Sequence, residues 1–328
     1  MTPVPIASIK AKAHDLGFCA CGVTQARPVD AATATAYRQW IADGGPAEMG
    51  YLARNVEMRL DPTLLLPGAR TIVMVALNYR PQQRIADGEY QIAGYAYGHD
   101  YHDIMKERLR QLAATIATEA AANPPEELQQ KICVDTVPLL ERYWAVQAGL
   151  GFVGLNHQLI VPGIGSECFL GAIVTTAAVD VYDEPSTASC GNCRRCIAAC
   201  PTGALSSATG HEDTGQQLFT FRAEQCLSYL TIECRQPLSD ATAQQLGTSI
   251  YGCDRCLLAC PHNSGKLPTD VEELAPSERL LHMRRTDWQQ LTPEQYRDLF
   301  RGSAVKRAKY EGLMRNIEAV DKNNNESQ

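Results

Sequence analysis

The sequence predicts a mixed α/β (α+β) domain, a cysteine-rich second domain and a short helical C-terminus. Three observations carry this. Helix-like and strand-like segments alternate over roughly residues 1–180, nine of the thirteen cysteines lie beyond Ser189, and the chain turns polar and helical after Leu267. The boundaries are drawn at 1–180, 181–267 and 268–328. With 328 residues, of which 45% are hydrophobic, a sizeable core can form.

The elements follow from local pattern. Residues 6–22 have helical apolar spacing that ends near Gly17, and "AATATAYRQWIADGG" is a second helix stopped by Gly44 and Gly45. "RTIVMVALNY" is short and β-branched with Pro81 behind it, which suits a buried strand. "YHDIMKERLRQLAATIATEAA" is an amphipathic helix, "KICVDTVPL" a strand, "ERYWAVQAGLGFVG" a helix with a glycine-rich end, and "ECFLGAIVTTAAV" a strand. "TPEQYRDLF" and "AVKRAKYEGLMRNIEAV" are helical, and "DKNNNESQ" is expected to be a disordered tail.

Composition narrows the function classes. The opening "MTPVPIASIKAKAHDLGF" lacks the charge and apolar run of a signal peptide, and stretches such as "TIVMVAL" cannot span a bilayer. A cytoplasmic protein without a membrane partner is expected, acting as a monomer. In such a setting, tightly spaced cysteines read as metal ligands or redox groups rather than disulfides. The net charge of -7 argues against a wholly basic nucleic-acid coat and leaves room for a local basic face.

In "CGNCRRCIAACPTGAL", Cys190, Cys193, Cys196 and Cys200 precede Pro201, which is the C-x2-C-x2-C-x3-C-P run of bacterial ferredoxins. The fourth cysteine of such a run ligates the other cluster, so one run predicts another. It is found in "YGCDRCLLACPHN", where Cys253, Cys256 and Cys260 precede Pro261 but Ile250 stands where a first cysteine belongs. The first [4Fe-4S] cluster then takes Cys190, Cys193, Cys196 and Cys260. The second has Cys200, Cys253 and Cys256 and lacks one ligand. Cys226 and Cys234 are both available, and spacing does not choose between them. Paired zinc sites are the competing reading, but three cysteines at successive three-residue steps crowd a single tetrahedral ion.

These runs, with "CLSYLTIE", "LDPTLLLPGARTIVMVALNY", "YGHDYHD", "VDTVPLLERYWAVQAGLGFVGLNH" and "GSECFLGAIVTT", resemble the epoxyqueuosine reductase family over about residues 6–318. The resemblance implies an N-terminal cobalamin-binding domain similar to that of reductive dehalogenases, followed by a ferredoxin-like domain carrying the two clusters. It implies reduction of epoxyqueuosine to queuosine at the wobble position of tRNA, with a low-potential electron donor as a further partner. It also implies Cys226, rather than Cys234, as the missing ligand. By the same resemblance Asp135 is the proton donor and a neighbour of cobalamin, and burial beside the corrin ring would raise its pKa. Arg59, Tyr101, His102, Gly154, Asn156 and His157 are expected cobalamin contacts.

Read without the resemblance, Asp135 is a cap for the following helix, Arg59 a surface arginine and Gly154 a helix stop. The D-x-H-x-x-G pattern of a lower axial histidine is not met, since Met105 stands where glycine is required, so base-off binding is expected.

For nucleic acid, Arg297, Arg301, Lys306, Arg307, Lys309 and Arg315 outnumber Asp298 and Glu311, and one basic helical face is expected, with Arg235 nearby. A solvated helix is the plainer reading. Longer family members carry a C-terminal helical-repeat region, and the chain ends soon after "LMRNIEAV". The alternatives are a dehalogenase-like cobalamin enzyme on a small substrate and a ferredoxin-type electron carrier. The domain of roughly 180 residues before the cysteines disfavours a carrier.

Overall fold

The structure, a computed structural model, describes residues 3–120, 128–205 and 219–326. Its centre is an antiparallel sheet in the order β1 (Ala20–Gln25), β2 (Thr71–Asn78), β7 (Cys168–Thr175), β4 (Gln130–Cys133). Ile72, Met74 and Ala76 of β2 face one hydrophobic layer, and Val73, Val75 and Leu77 face the other. Burial on both faces explains why β2 reads as an unbroken apolar run rather than an alternating one. Strand β1 falls inside the stretch given to the first helix, which stops at Asp15 (α1, Ile6–Asp15).

Helices cover both faces. On one side lie α2 (Ala31–Ala42), the short α3 (Val56–Leu60) and α4 (Pro62–Leu65), and α6 (Glu141–Gln147). On the other lie α1 and the long α5 (Tyr101–Ala120). Close approach is set by two glycines. A Cβ on Gly171 would stand 2.6 Å from Met105 Cε of α5, and one on Gly22 would stand 1.9 Å from the Ala148 carbonyl. The expected strand over "KICVDTVPL" ends at Cys133, because Asp135 takes a left-handed φ of 58° and turns the chain away.

The cysteine-bearing segments lie against β5 (Phe152–Val153) and β6 (Leu159–Ile160), with Phe152, Leu155 and Ile160 packed on thiols of both runs. A third core joins residues 85–97 to the C-terminal helices: β3 (Gln91–Ile92) pairs in parallel with β8 (Ser249–Tyr251), and Tyr90, Tyr97, Trp288 and Phe300 share its interior. The final helix spans Lys309–Glu326, so its backbone continues through positions expected to be a disordered tail from Asp321; residues 327–328 lie outside the described residues. Asn316 anchors it, donating to the carbonyls of Thr231 at 2.9 Å and Ile250 at 2.8 Å. Among the described residues no helix is long and apolar enough to cross a membrane.

Candidate functional site

Asp135 stands at the turn after β4. Its amide donates to Glu141 Oε1 at 2.8 Å, and its carboxylate accepts from the Tyr101 hydroxyl, with His102 Nε2 at 3.7 Å. Tyr101 is stacked between the His102 ring at 4.2 Å and Phe169 at 4.1 Å, which fixes its direction. Burial, and then the negative charge of Asp135, hold the Tyr101 hydroxyl far above its ordinary pKa, so it stays a donor. His102 Nδ1 lies 2.7 Å from Asp100 Oδ1.

The Asp135 side chain is 60% exposed, because the left-handed turn carries it out of the sheet. The plainer reading as a helix cap is corrected here: Asp135 does not cap α6, whose N-cap position is Leu140 and has no side-chain cap. The carboxyl that burial does raise is Glu141, pushed up to about 8 by desolvation and then by the charge of Asp135, with Arg142 and Arg59 opposing. The sequence reading missed Glu141, since a glutamate opening a helix is also an ordinary first-turn residue.

Arg59 is buried, 8% exposed, contrary to its plain reading as a surface residue. Its Nη2 donates to the Tyr51 carbonyl at 3.2 Å, and its buried Nε has no hydrogen-bond partner. Asn156 is likewise buried; its Oδ1 accepts from the Gln158 amide at 3.2 Å, while its Nδ2 has no partner. The loop from Gly154 to His157 connects two regions. Leu155 shares a small apolar cluster with Cys196 and Leu205, against which Cys190, Cys200 and Cys256 pack, and the His157 carbonyl accepts from Arg142, beside Asp135 and Glu141. Two orphaned buried donors near one exposed acid fit a large ligand with an amide periphery, such as a corrin.

The thiols fall into two sets. Cys190 and Cys196 lie within electrostatic range of each other and of Cys193 and Cys260. Cys226 lies in range of Cys200, and Cys253 and Cys256 in range of Cys226. Cys256 also senses Cys196, so the sets adjoin. The Cys234 thiol is turned instead to the Gln236 carbonyl at 3.9 Å. Among the described residues no three His, Cys, Asp or Glu side chains are placed to hold a single metal ion. A cubane takes each thiolate at a separate corner and needs the sulfurs farther apart. Burial pushes the Cys196 and Cys253 thiols up to about 11, so cluster assembly must release protons there.

A buried charge network ties these loops to the sheet. Arg80 Nη1 lies 2.7 Å from Glu167 Oε2, and Arg84 bonds Glu167 Oε1 and, at 3.1 Å, Asp254 Oδ2. Asp254 stands between Cys253 and Cys256 and accepts from the Gly94 amide at 2.7 Å. Asn263, just after Cys260 and Pro261, donates to Ser166 Oγ at 3.0 Å and the Leu257 carbonyl at 2.8 Å. Nothing in the local sequence pattern marks Arg84, Glu167 and Asp254 as partners, since 83 and 170 positions separate them.

The expected basic face is only partly present. Lys306 and Arg307 lie on a 3-10 turn, Ala304–Ala308, ahead of the last helix. Arg307 is paired through both Nε and Nη2 with Glu233, and its guanidinium lies 5.9 Å from the Tyr51 ring centroid. Arg235 donates to the carbonyls of Arg307 and Ala308, and Arg315 to those of Leu230, Cys234 and Gln236. Arg301 pairs with Asp298. Arg235 and Arg315 reach to backbone carbonyls, whereas Arg301 and Arg307 stay 80% and 54% exposed although paired, and Arg297, Lys306 and Lys309 are exposed as well.

Comparison with known proteins decides the family. Residues 59–136 match the family model described as "Epoxyqueuosine reductase QueG, DUF1730", and residues 189–263 match "4Fe-4S double cluster binding domain". An epoxyqueuosine reductase of Cellulophaga algicola is 35% identical over 94% of this chain and 96% of its own. The chain belongs to the epoxyqueuosine reductase family. The crystal structure of the Streptococcus thermophilus enzyme superposes with a TM-score of 0.82 at 27% identity, covering 97% of this chain and 81% of that one. A family structure in complex with an epoxyqueuosine-modified tRNA-Tyr stem loop superposes with a TM-score of 0.83 at 26% identity over the same shares.

Proposed function

We propose that this chain reduces epoxyqueuosine to queuosine in tRNA, with cobalamin as the reacting cofactor and two [4Fe-4S] clusters as its electron supply. The observation that carries it is the juxtaposition across the Gly154–His157 loop: Leu155 lies in an apolar cluster that thiols of both sets join, and the acid corner is reached through Arg142. A family structure holding the modified stem loop supports the substrate. The epoxide oxygen leaves as water, so each turnover takes up two electrons and two protons.

Cys190, Cys193, Cys196 and Cys260 would hold the first cluster, and Cys200, Cys226, Cys253 and Cys256 the second. The turning of Cys234 to a backbone carbonyl supports Cys226 as the eighth ligand. Arg59, Tyr101, His102, Asp135, Gly154, Asn156 and His157 would line the cobalamin site, with Arg59 Nε and Asn156 Nδ2 donating to its amide periphery. Cobalamin supplies a strongly reducing, nucleophilic metal centre when bound. Both nitrogens of His102 already face carboxylates, which supports binding without a protein axial histidine. Asp135, held by Tyr101, gives its proton to the departing oxygen, and the low-dielectric wall of Tyr101 and Phe169 excludes water on one side. Lys306, with Arg307 and Arg235 behind it, would meet the tRNA backbone. A cytoplasmic monomer fed by a low-potential donor fits this chemistry.

Anaerobic incubation of cluster- and cobalamin-loaded protein with epoxyqueuosine-containing tRNA and a strong reductant tests the proposal. Nucleoside mass spectrometry should show loss of one oxygen atom. No conversion, with both clusters and the reduced cofactor confirmed spectroscopically, would overturn the substrate assignment.

A further inference from the structure

Asp135 is held in an unusual way. It is the exposed, left-handed residue of its turn, so packing does little to fix it, and an aspartate gains that backbone conformation only when its surroundings hold it there. Two sets of contacts do so. Tyr101 and His102 hold the carboxylate from α5, and Glu141 Oε1 accepts the amide from α6. Glu141 is itself half-buried, and the groups facing it come from four elements. They are Asp135 and Cys133 from the end of β4, Tyr101 from α5, Arg142 beside it on α6, and Arg59 from α3.

We infer that Glu141 is the positioning residue of the acid: it accepts the Asp135 amide and fixes the left-handed turn that presents the Asp135 carboxyl. This rests on the reading of Asp135 as the proton donor.

Two variants separate the parts. Glu141→Gln keeps an oxygen acceptor for the amide and removes the second acid. Glu141→Ala removes both. Hydrogen exchange on the ligand-free protein should show the amides of residues 134–140 unchanged in Glu141→Gln and accelerated by about tenfold or more at Asp135 in Glu141→Ala. In the loaded enzyme, Glu141→Ala should lose kcat with little change in KM, and Glu141→Gln should recover most of it. Wild-type exchange in Glu141→Ala, or a loss of kcat in Glu141→Gln as large as in Glu141→Ala, would overturn the positioning role. Full activity in Asp135→Asn would instead remove Asp135 as the acid, and the exchange result would still decide the turn.

Discussion

Replacing Arg84 by Met should loosen the attachment of the second cysteine loop to the sheet. The guanidinium serves Glu167, whose side chain is 4% exposed, and Asp254, which is 10% exposed. Removing one partner of a buried pair costs about 3–5 kcal/mol, because the remaining charge stays desolvated. Here Glu167 keeps Arg80 at 2.7 Å and Asp254 keeps the Gly94 amide at 2.7 Å, so the loss belongs at the low end, about 3 kcal/mol. Burial already lifts the Glu167 carboxyl above the usual range despite both arginines. Without Arg84 it rises further, and protonation relieves part of the cost as pH falls, so the loss should be smaller at pH 5 than at pH 8. Paired anaerobic denaturant curves measure this. Arg301→Met, which breaks the exposed pair with Asp298, serves as the control and should cost under about 0.5 kcal/mol. If Arg84→Met matches that control, the network is not what clamps the loop.

Other outcomes follow from the same geometry. Cys226→Ser should lower bound iron from about eight to about four atoms per chain while Cys234→Ser leaves about eight, measured by iron analysis and electron paramagnetic resonance; the reverse pattern would exchange their roles. Asp135→Asn should retain clusters and cobalamin and lose about 100-fold or more in turnover, and a fully active variant would exclude it as the acid. Lys306→Glu should weaken tRNA binding and reduce the slope of log Kd against log salt by about one, whereas an unchanged slope would remove Lys306 from the phosphate contact. Glu141 binds more protons folded than unfolded, so its contribution to stability is present at low pH and lost as pH rises from 4.5 through about 8; Glu141→Gln should flatten the fall in unfolding midpoint over that window.

The sequence by itself determined the parts that are local in the chain. The spacing from Cys190 to Cys200 and from Cys253 to Cys260 announced two clusters, because ligand geometry over one helical turn is written in adjacent residues. The continuous apolar run of β2 announced a strand buried on both faces, and the resemblance pointed to Asp135. Tertiary structure decided what depends on distant positions meeting. Only the fold turned Cys234 to a carbonyl and set Cys226 in range of Cys200, placements that spacing does not give. Only the fold buried Arg59, exposed the Asp135 side chain and raised the Glu141 carboxyl, since desolvation is a property of surroundings and not of residue type. It likewise paired Arg307 with Glu233 and turned Arg315 to backbone carbonyls, so part of the positive charge along the chain is met within the fold. Charge along a sequence adds up, but charge at a surface depends on which side chains the packing leaves outside.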